Sequence, residues 1–515
     1  MIRLHVALIA AVLCSPVSSQ DGSLDATFSE DGILVLDLSD STESFSAIAF
    51  QPDGKMIAAG NAFGPVDRDI SLVRLLADGS LDPTFGTAGM VLTQASTGHD
   101  QAYAVALQAD GKIVVAGFGK SGTGTTRDAL LVRYNEDGSL DPGFGIGGIV
   151  LSTLGETGDQ QFLYAMDVAP DGSIVTAGHG YDQLVCARFT SAGILDETFG
   201  SGGVVVPGVA PSGNGTCIRL LDDGSLLVGG STYPNVGGQW ALVKLTEDGI
   251  PDMTFGTDGI VTADLDTFIF EHMSKVDVLS DGRIVVCGHQ HPGDYIAVPM
   301  VHMFLPDGTP DPAFGDNGRL LLPFGTDTTG TFTYVAVQPD DKILLVGSRE
   351  HEVAADQGDV MLYRLLPGAE PDLGFGLGGR VFTDIGTSED AAFGGSLAPD
   401  GTIALAGASI STEWNTLLLR YENDNTTGYS LAESHPAVRV SPNPMTDMTL
   451  IDLPANAGSP ITLQLFNVHG QHVRSSFVGT SALYRMNRDA LASGVYVLRP
   501  VSQDRVFPGI RLIVH

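Results

Sequence analysis

One short motif recurs seven times along this 515-residue chain. Leu-Asp-x-x-Phe-Gly places an aspartate at Asp25, Asp82, Asp141, Asp196, Asp252, Asp311 and Asp372, at intervals of 57, 59, 55, 56, 59 and 61 residues. Pro251, Pro310 and Pro371 replace the leading leucine in three copies, and Ser29 ends the first. A period this long is one supersecondary unit that cannot bury its apolar face alone, so neighbouring copies must stack. Stacking also lets a chain of this length fold without one oversized core.

Each period holds four apolar runs of strand length. In one full copy they are Ala102–Leu107, Lys112–Ala116, Ala129–Tyr134 and Gly148–Ser152. Ala109-Asp110-Gly111 separates the first two, and Glu136-Asp137-Gly138 follows the third. Asp-Gly between apolar runs is a hairpin signal, because glycine tolerates the positive φ of a tight turn. Four antiparallel strands per period, with no sustained helical period, make a propeller blade. The hairpin aspartates are Asp53, Asp110, Asp171, Asp223, Asp281, Asp340 and Asp400, again seven. A basic residue in the third strand recurs as Arg74, Arg133, Arg188, Lys244, His302, Arg364 and Arg420.

The expected fold is therefore all-β, a seven-bladed β-propeller of four-stranded blades. With strands lettered A to D from the Asp-Gly hairpin, the last copy stops at strand C, around Leu417–Tyr421. An orphan strand D, Gly32–Leu38, opens the chain. Closure by this N-terminal strand, through pairing with the strand of Arg420, would leave no blade with an open edge. The repeated phenylalanines, Phe28 to Phe375, are expected to plug the gaps between blades. The buried basic residue of strand C needs a counter-charge, and the repeated aspartate is the candidate.

Charge narrows the function. The chain carries 61 acidic against 26 basic residues, a net −35, which repels phosphate backbones and excludes nucleic acid as a partner. Residues 1–19 read as a secretory signal: Arg3, an apolar run from Val6 to Leu13, then Val17-Ser18-Ser19 before a cut near Gln20. That run is too short to cross a bilayer, and no transmembrane segment is expected in the mature chain. Leu13 before Cys14 is too large for a lipoprotein site. Cys186, Cys217 and Cys287 sit in apolar strands and are expected as buried free thiols.

Asp-Gly-Ser-Leu-Asp-x-x-Phe-Gly, Gln108 to Gly117, and Leu131 to Tyr134 together resemble the delta-60 repeat family, over residues 21–421. That resemblance implies a β-propeller of secreted bacterial proteins and implies no reaction. Residues 422–433 form a polar linker to a domain spanning 434–515. Within it Pro442, Asn443 and Pro444, Gly470 in His469-Gly470-Gln471, and Gly494 and Tyr496 in Ser493-Gly494-Val495-Tyr496 resemble a type IX secretion sorting domain of type A. Physically this region reads as a small β-sandwich. The resemblance implies export to the periplasm, passage through the type IX machinery using residues 434–515, and release or attachment at the outer-membrane surface.

Chemical sites are sparse. Asp137 and Asp141 flank a glycine loosely as in a calcium loop, but their recurrence favours turn and cap roles. Cys287-Gly288-His289-Gln290-His291 has metal-ligand types at tight spacing, with no distant partner in view. No nucleophile elbow, distinctive carboxylate pair or phosphate loop is present, so neither catalysis nor a cofactor nor a metal is expected. The B–C connections vary, with Gly178 to Arg188 spanning 10 positions and Gly347 to Arg364 spanning 17. Recognition is therefore expected at that irregular end, where Trp240 and Trp414 are the candidate ligand-facing residues, toward an extracellular protein or a glycan. A structural, adhesive or protein-binding role is the first reading; a polysaccharide- or divalent-cation-binding module is the second.

Overall fold

A computed structural model describes residues 21–423 apart from 39–40, 121–125, 155–159, 211, 234–237, 263–269, 292–295, 325–327, 352–357, 386–388, 399 and 411–413. Beyond these it describes 439–441, 448–452, 461–467, 472–479, 483–488, 491–492, 494–501 and 510–514. The expected signal peptide lies outside the described residues. The chain divides after Asn425 into two compact units. All regular elements among the described residues are strands.

The repeat is one antiparallel meander. In the copy read above, Gln101–Leu107, Ile113–Gly119, Asp128–Tyr134 and Ile149–Ser152 pair in order as strands A to D. Gly111, at φ 82°, closes the A–B hairpin by donating to the Gln108 carbonyl at 2.9 Å. Strand B is buried along its whole length, because both its faces are covered by neighbouring sheets. Five such four-stranded sheets recur before the chain reaches Asn425. An eight-stranded sheet consists of two more, joined by the single parallel pair Gly358 and Glu389. Its outer edge is Ile33–Leu36, which pairs antiparallel with Trp414–Tyr421 in the register Ile33–Leu419 to Leu36–Thr416.

Consecutive sheets bury their faces against each other. Ile57 and Leu72 pack with Val115 and Leu130, and Val114 and Leu131 pack in turn with Met166 and Val185. The last meander meets the first, where Ala404 and Leu418 join Ala58 and Val73.

Every strand A carries a bulge. The register slips at Ser46, Tyr103, Tyr164, Thr216, Ser274, Thr333 and Phe393. The cause is a glycine in strand B just before each slip. A Cβ on Gly117 would lie 1.8 Å from the Gln101 carbonyl oxygen, and one on Gly60, Gly178, Gly230, Gly288, Gly347 or Gly407 would collide similarly with the facing strand. Only glycine permits that close approach, and the following residue is squeezed out of the ladder.

The basic residue of strand C joins adjacent sheets. Arg133 Nε donates to Asp141 Oδ2 at 2.8 Å, while Nη1 donates to Gln108 and to the Ser191 carbonyl of the next sheet. Its guanidinium lies 4.5 Å over the buried Phe144 ring. Gly145 adds a backbone bond of 3.0 Å to Ala192, also in the next sheet. Arg74, Arg188 and Arg364 repeat the pairing with Asp82, Asp196 and Asp372 at 2.8–2.9 Å, and Lys244 meets Asp252 at 3.1 Å. Arg420 reaches Asp25 at 2.7 Å and covers Phe28, which ties the last strand C to the first described residues.

The fifth copy departs from the expectation for His302. The equivalent position, eight residues before Asp311, is Met303, which is fully buried. Alternation along the strand turns His302 to the opposite face, against Trp240 at 5.1 Å. The missing cation is supplied by Arg283, just past the A–B turn, whose Nη1 is 3.1 Å from Asp311. Lys55, Lys112 and Lys342 hold the same second position against Asp82, Asp141 and Asp372.

In the C-terminal unit, Arg439–Ser441, Met448–Asp452 and Leu483–Asn487 form one sheet. His472–Gly479, Ile461–Asn467, Gly494–Val501 and Ile510–Val514 form another. Gly494 pairs with Val514, and Tyr496 is buried with its hydroxyl donating to the Ala492 carbonyl at 2.9 Å. Pro442, Asn443, Pro444 and Gly470 lie outside the described residues.

The Arg133–Asp141 contact sets a test. Arg133→Ala leaves a buried carboxylate short of a donor and should cost about 3–5 kcal/mol. In a double-mutant cycle with Asp141→Ala, urea unfolding should return a coupling of about 0.5–3 kcal/mol. Additive losses would mean the two side chains act independently.

Candidate functional site

The two ends of the meanders differ in chemistry. The A–B and C–D turns all lie at one end, and there the acids are absorbed by the turns themselves. Asp137 Oδ1 accepts from the Ser139 amide at 2.9 Å and its hydroxyl at 2.6 Å. Asp141 spends its oxygens on Gly143, Arg133 and Lys112. The Thr254 hydroxyl and amide, joined by Lys244, outweigh burial and hold the Asp252 carboxyl down at about 2. Among the described residues no three acids, histidines or cysteines are arranged to hold a metal ion.

The opposite end carries the B–C and D–A connections. A buried acceptor at the start of strand A receives amides of the preceding D–A segment. Asp100 Oδ2 accepts from Ala95 at 2.7 Å and Ser96 at 3.0 Å, and Asp390 accepts from Ile385 at 2.9 Å. Gln161 plays the same part toward Leu154. These residues set the ends of segments whose lengths otherwise vary. In the third copy the B–C connection is the tight turn Tyr181-Asp182, both residues at positive φ, between Gly180 and Gln183.

The two tryptophans fare differently. Trp240 is only 3% exposed, packed against His302 and, at 5.5 Å, Phe304 of the next sheet. It anchors strand C and offers no ring to a ligand, which corrects the expectation that it faces one. Trp414 is 38% exposed and stacks on Phe393 at 6.2 Å. Cys287, His289 and His291 lie on one face of their strand. Cys287 is buried in the core, while His289 stacks on His272 at 5.1 Å and meets His291 at 5.3 Å. Burial, with His272 and His291 beside it, pushes His289 down to about 3, so it stays neutral. Cys186, Cys217 and Cys287 are all free and buried, and burial pushes the Cys186 and Cys217 thiols up to about 12.

Two groupings at this end were not singled out from sequence. One is aromatic: Tyr103, Phe118, Phe162 and Tyr164 on the second and third sheets, with Arg127 beside them. The other is acidic. Asp69 is 4% exposed and its Oδ1 has no hydrogen-bond partner. Burial, then the neighbouring Asp67 and Asp100, push its carboxyl up to about 6. Its only sequence signal is an acidic residue near the start of a strand that is mostly apolar.

Known families match both units. A β-propeller domain of unknown function, DUF5122, matches residues 51–85, 108–144 and 221–255. A secretion system C-terminal sorting domain matches residues 439–513. No curated protein matches the chain. Among solved structures, the extracellular domain of a putative one-component system from B. thetaiotaomicron is 10% identical, with a TM-score of 0.37; the match covers 96% of this chain but 58% of that one. PorZ, a surface component of the type IX secretion system of Porphyromonas gingivalis, is 10% identical over 90% of this chain and 68% of its own, with a TM-score of 0.33. Virginiamycin B lyase from Staphylococcus aureus is 13% identical over 75% of this chain and 98% of its own, with a TM-score of 0.43.

Asp69 makes a pH-dependent prediction. Its folded carboxyl binds a proton more tightly than the unfolded one, at about 6 against 3.8, so stability is lost as pH rises through that window. Asp69→Asn keeps the neutral form at all pH. It should raise stability at pH 7 by roughly 1–3 kcal/mol, the linkage cost of ionising a carboxyl that folding makes harder to ionise, and change little below pH 3.8. Thermal melts at pH 7.5 and 3.5 check it, and an equal shift at both would contradict the assignment.

A sorting tail of this class directs export to the cell surface or the extracellular space. The chain carries β-propeller repeats of the DUF5122, delta-60 type and ends in a type IX secretion C-terminal sorting domain.

Proposed function

We propose that this chain is an exported, non-enzymatic seven-bladed propeller, closed by its N-terminal strand, that acts as an adhesive or binding scaffold toward an extracellular protein or glycan. The seven-blade reading rests on the five four-stranded sheets and the two meanders of the eight-stranded sheet. Closure is supported by the Ile33–Leu36 pairing with Trp414–Tyr421, the Arg420–Asp25 ion pair, and the core shared by the last meander and the first.

The observation that carries the binding role is the contrast between the two ends. At one, the same turn and the same Asp–Arg contact recur from copy to copy, and their polar groups are spent on each other. At the other, side chains differ from copy to copy and aromatic rings reach the surface. Residues that repeat serve the fold; residues that break the repeat are free to serve a ligand. The aromatic grouping favours a glycan over a divalent cation as the second reading.

Closure predicts that deleting residues 21–38 opens two sheet edges and removes Asp25 from Arg420. The melting temperature of the remaining chain should fall by roughly 10 °C or more, given that even 1 kcal/mol shifts a domain of moderate size by about 2–4 °C. An unchanged melt would reject ring closure. Export is checked in a strain carrying type IX machinery. Removing residues 434–515 should leave the protein in the periplasm, whereas the intact chain reaches the surface or the medium. Equal surface delivery without the tail would overturn the export reading.

A further inference from the structure

The strand-A bulges direct seven side chains out of the ladder, and four of them are small hydroxyls: Ser46, Thr216, Ser274 and Thr333. In the second and third sheets the extra residues are Tyr103 and Tyr164, with ring centroids 5.0 Å apart. Tyr164 stacks on Phe162 at 5.4 Å with only 11° between the planes, and Phe162 meets Phe118 edge-on at 5.2 Å. The Arg127 guanidinium covers Phe118 at 4.8 Å and Phe162 at 5.6 Å. These five side chains form one continuous platform across two sheets. Neither tyrosine is fully buried, and neither hydroxyl is among the sealed polar atoms that lack a partner. Burial raises both phenols, so each keeps its proton and remains a donor. Arg127 is exposed, and no acid among the described residues lies within ion-pair distance of it. In a chain with 61 acids to 26 bases, Arg127 puts a cation directly against these rings, where it can meet an anionic group on a ligand stacked there.

We propose that this platform binds an acidic polysaccharide. The apolar face of a pyranose ring stacks on Tyr103 and Tyr164, the phenols hydrogen-bond its hydroxyls, and Arg127 pairs with its carboxylate or sulfate. Flat aromatic rings supply area at low entropic cost, and a guanidinium matches an oxyanion with two parallel donors. The inference rests on the reading of this end as the ligand-facing one.

The test is calorimetric titration of the chain from residue 20 onward with three oligosaccharides. A galacturonate hexamer carries carboxylates, a sulfated dextran oligomer carries sulfates, and maltohexaose is uncharged. One or both acidic oligomers should bind, and maltohexaose at least tenfold more weakly. Arg127→Ala should remove that preference, and Arg127→Lys should restore part of it. Tyr103→Ala and Tyr164→Ala should each weaken binding tenfold or more, with Tyr→Phe at either site weakening it less while leaving the melt unchanged. Binding of maltohexaose as tight as the acidic oligomers, binding indifferent to Arg127 and both tyrosines, or no binding by any oligomer would overturn the proposal. Adhesion of cells displaying the intact chain reads the broader role separately, and survives or fails independently of the sugar.

Discussion

A buried guanidinium between sheets is the contact on which the rest of this structure depends. Each strand C ends where the C–D turn of its own sheet meets the next sheet, and that junction collects unpaired acceptors. An apolar side chain there would leave them unsatisfied at a cost of about 1–3 kcal/mol each. Arginine has five donors in a rigid fork. It serves the aspartate of its own turn, a carbonyl of the neighbouring sheet, and the flat face of the phenylalanine beneath it. The aspartate is fixed in turn by accepting a backbone amide two residues on. Three repeated residues thus settle one another's geometry, and with it the angle at which sheets stack. Lysine at Lys244 makes only the point contact with Asp252, while the fifth copy rebuilds the charge from Arg283. The position of the cation is negotiable; its presence beside the aspartate is not.

A second constraint runs along the opposite strands. Glycine in strand B lets strand A approach so closely that its next residue is expelled from the ladder, identically in every copy. The backbone therefore prepares seven equivalent perches whose side chains owe nothing to sheet pairing. Thr216 and Thr333 use theirs to donate to the Met273 and Ala392 carbonyls of the next sheet, whereas Tyr103 and Tyr164 present rings. Fold and recognition are separated at the level of single residues, since the expelled positions vary from copy to copy while the strand-B glycine and a cation beside the aspartate recur.

That separation explains what could be read from the sequence. Asp25 to Asp372 and their phenylalanines announce themselves because the fold demands the same residue at the same spacing. The four strands of a copy follow, within three residues at every end, from Asp-Gly turns and apolar runs. His302 was misplaced because residue type was matched ahead of register: it is basic and near the right place, but one step along a strand reverses the face. Trp240 misled for a related reason, as its position near a variable connection says nothing about which way a strand residue points. Tyr103 and Tyr164 read as ordinary strand aromatics in separate copies. Only the bulge turns them outward, and only sheet packing brings them within 5.0 Å of each other. The buried carboxylate of Asp69 was equally silent, since isolation from partners is a property of the folded surroundings.

The distribution of charge completes the argument. The repeated acids sit in turns at one end, each closing its own loop, so that part of the negative total is a consequence of how the hairpins are built. At physiological ionic strength a charge is screened within about 8 Å, far less than the length of a strand of seven residues at roughly 3.3 Å each. An acidic ligand approaching the irregular end is therefore governed by the charges on that end. That end has acids of its own, Asp69 and Asp100 among them, so acceptance of an anionic ligand rests on the direct contact with Arg127 and not on the field of the whole end. A guanidinium within hydrogen-bond reach of a bound oxyanion outweighs carboxylates a Debye length away.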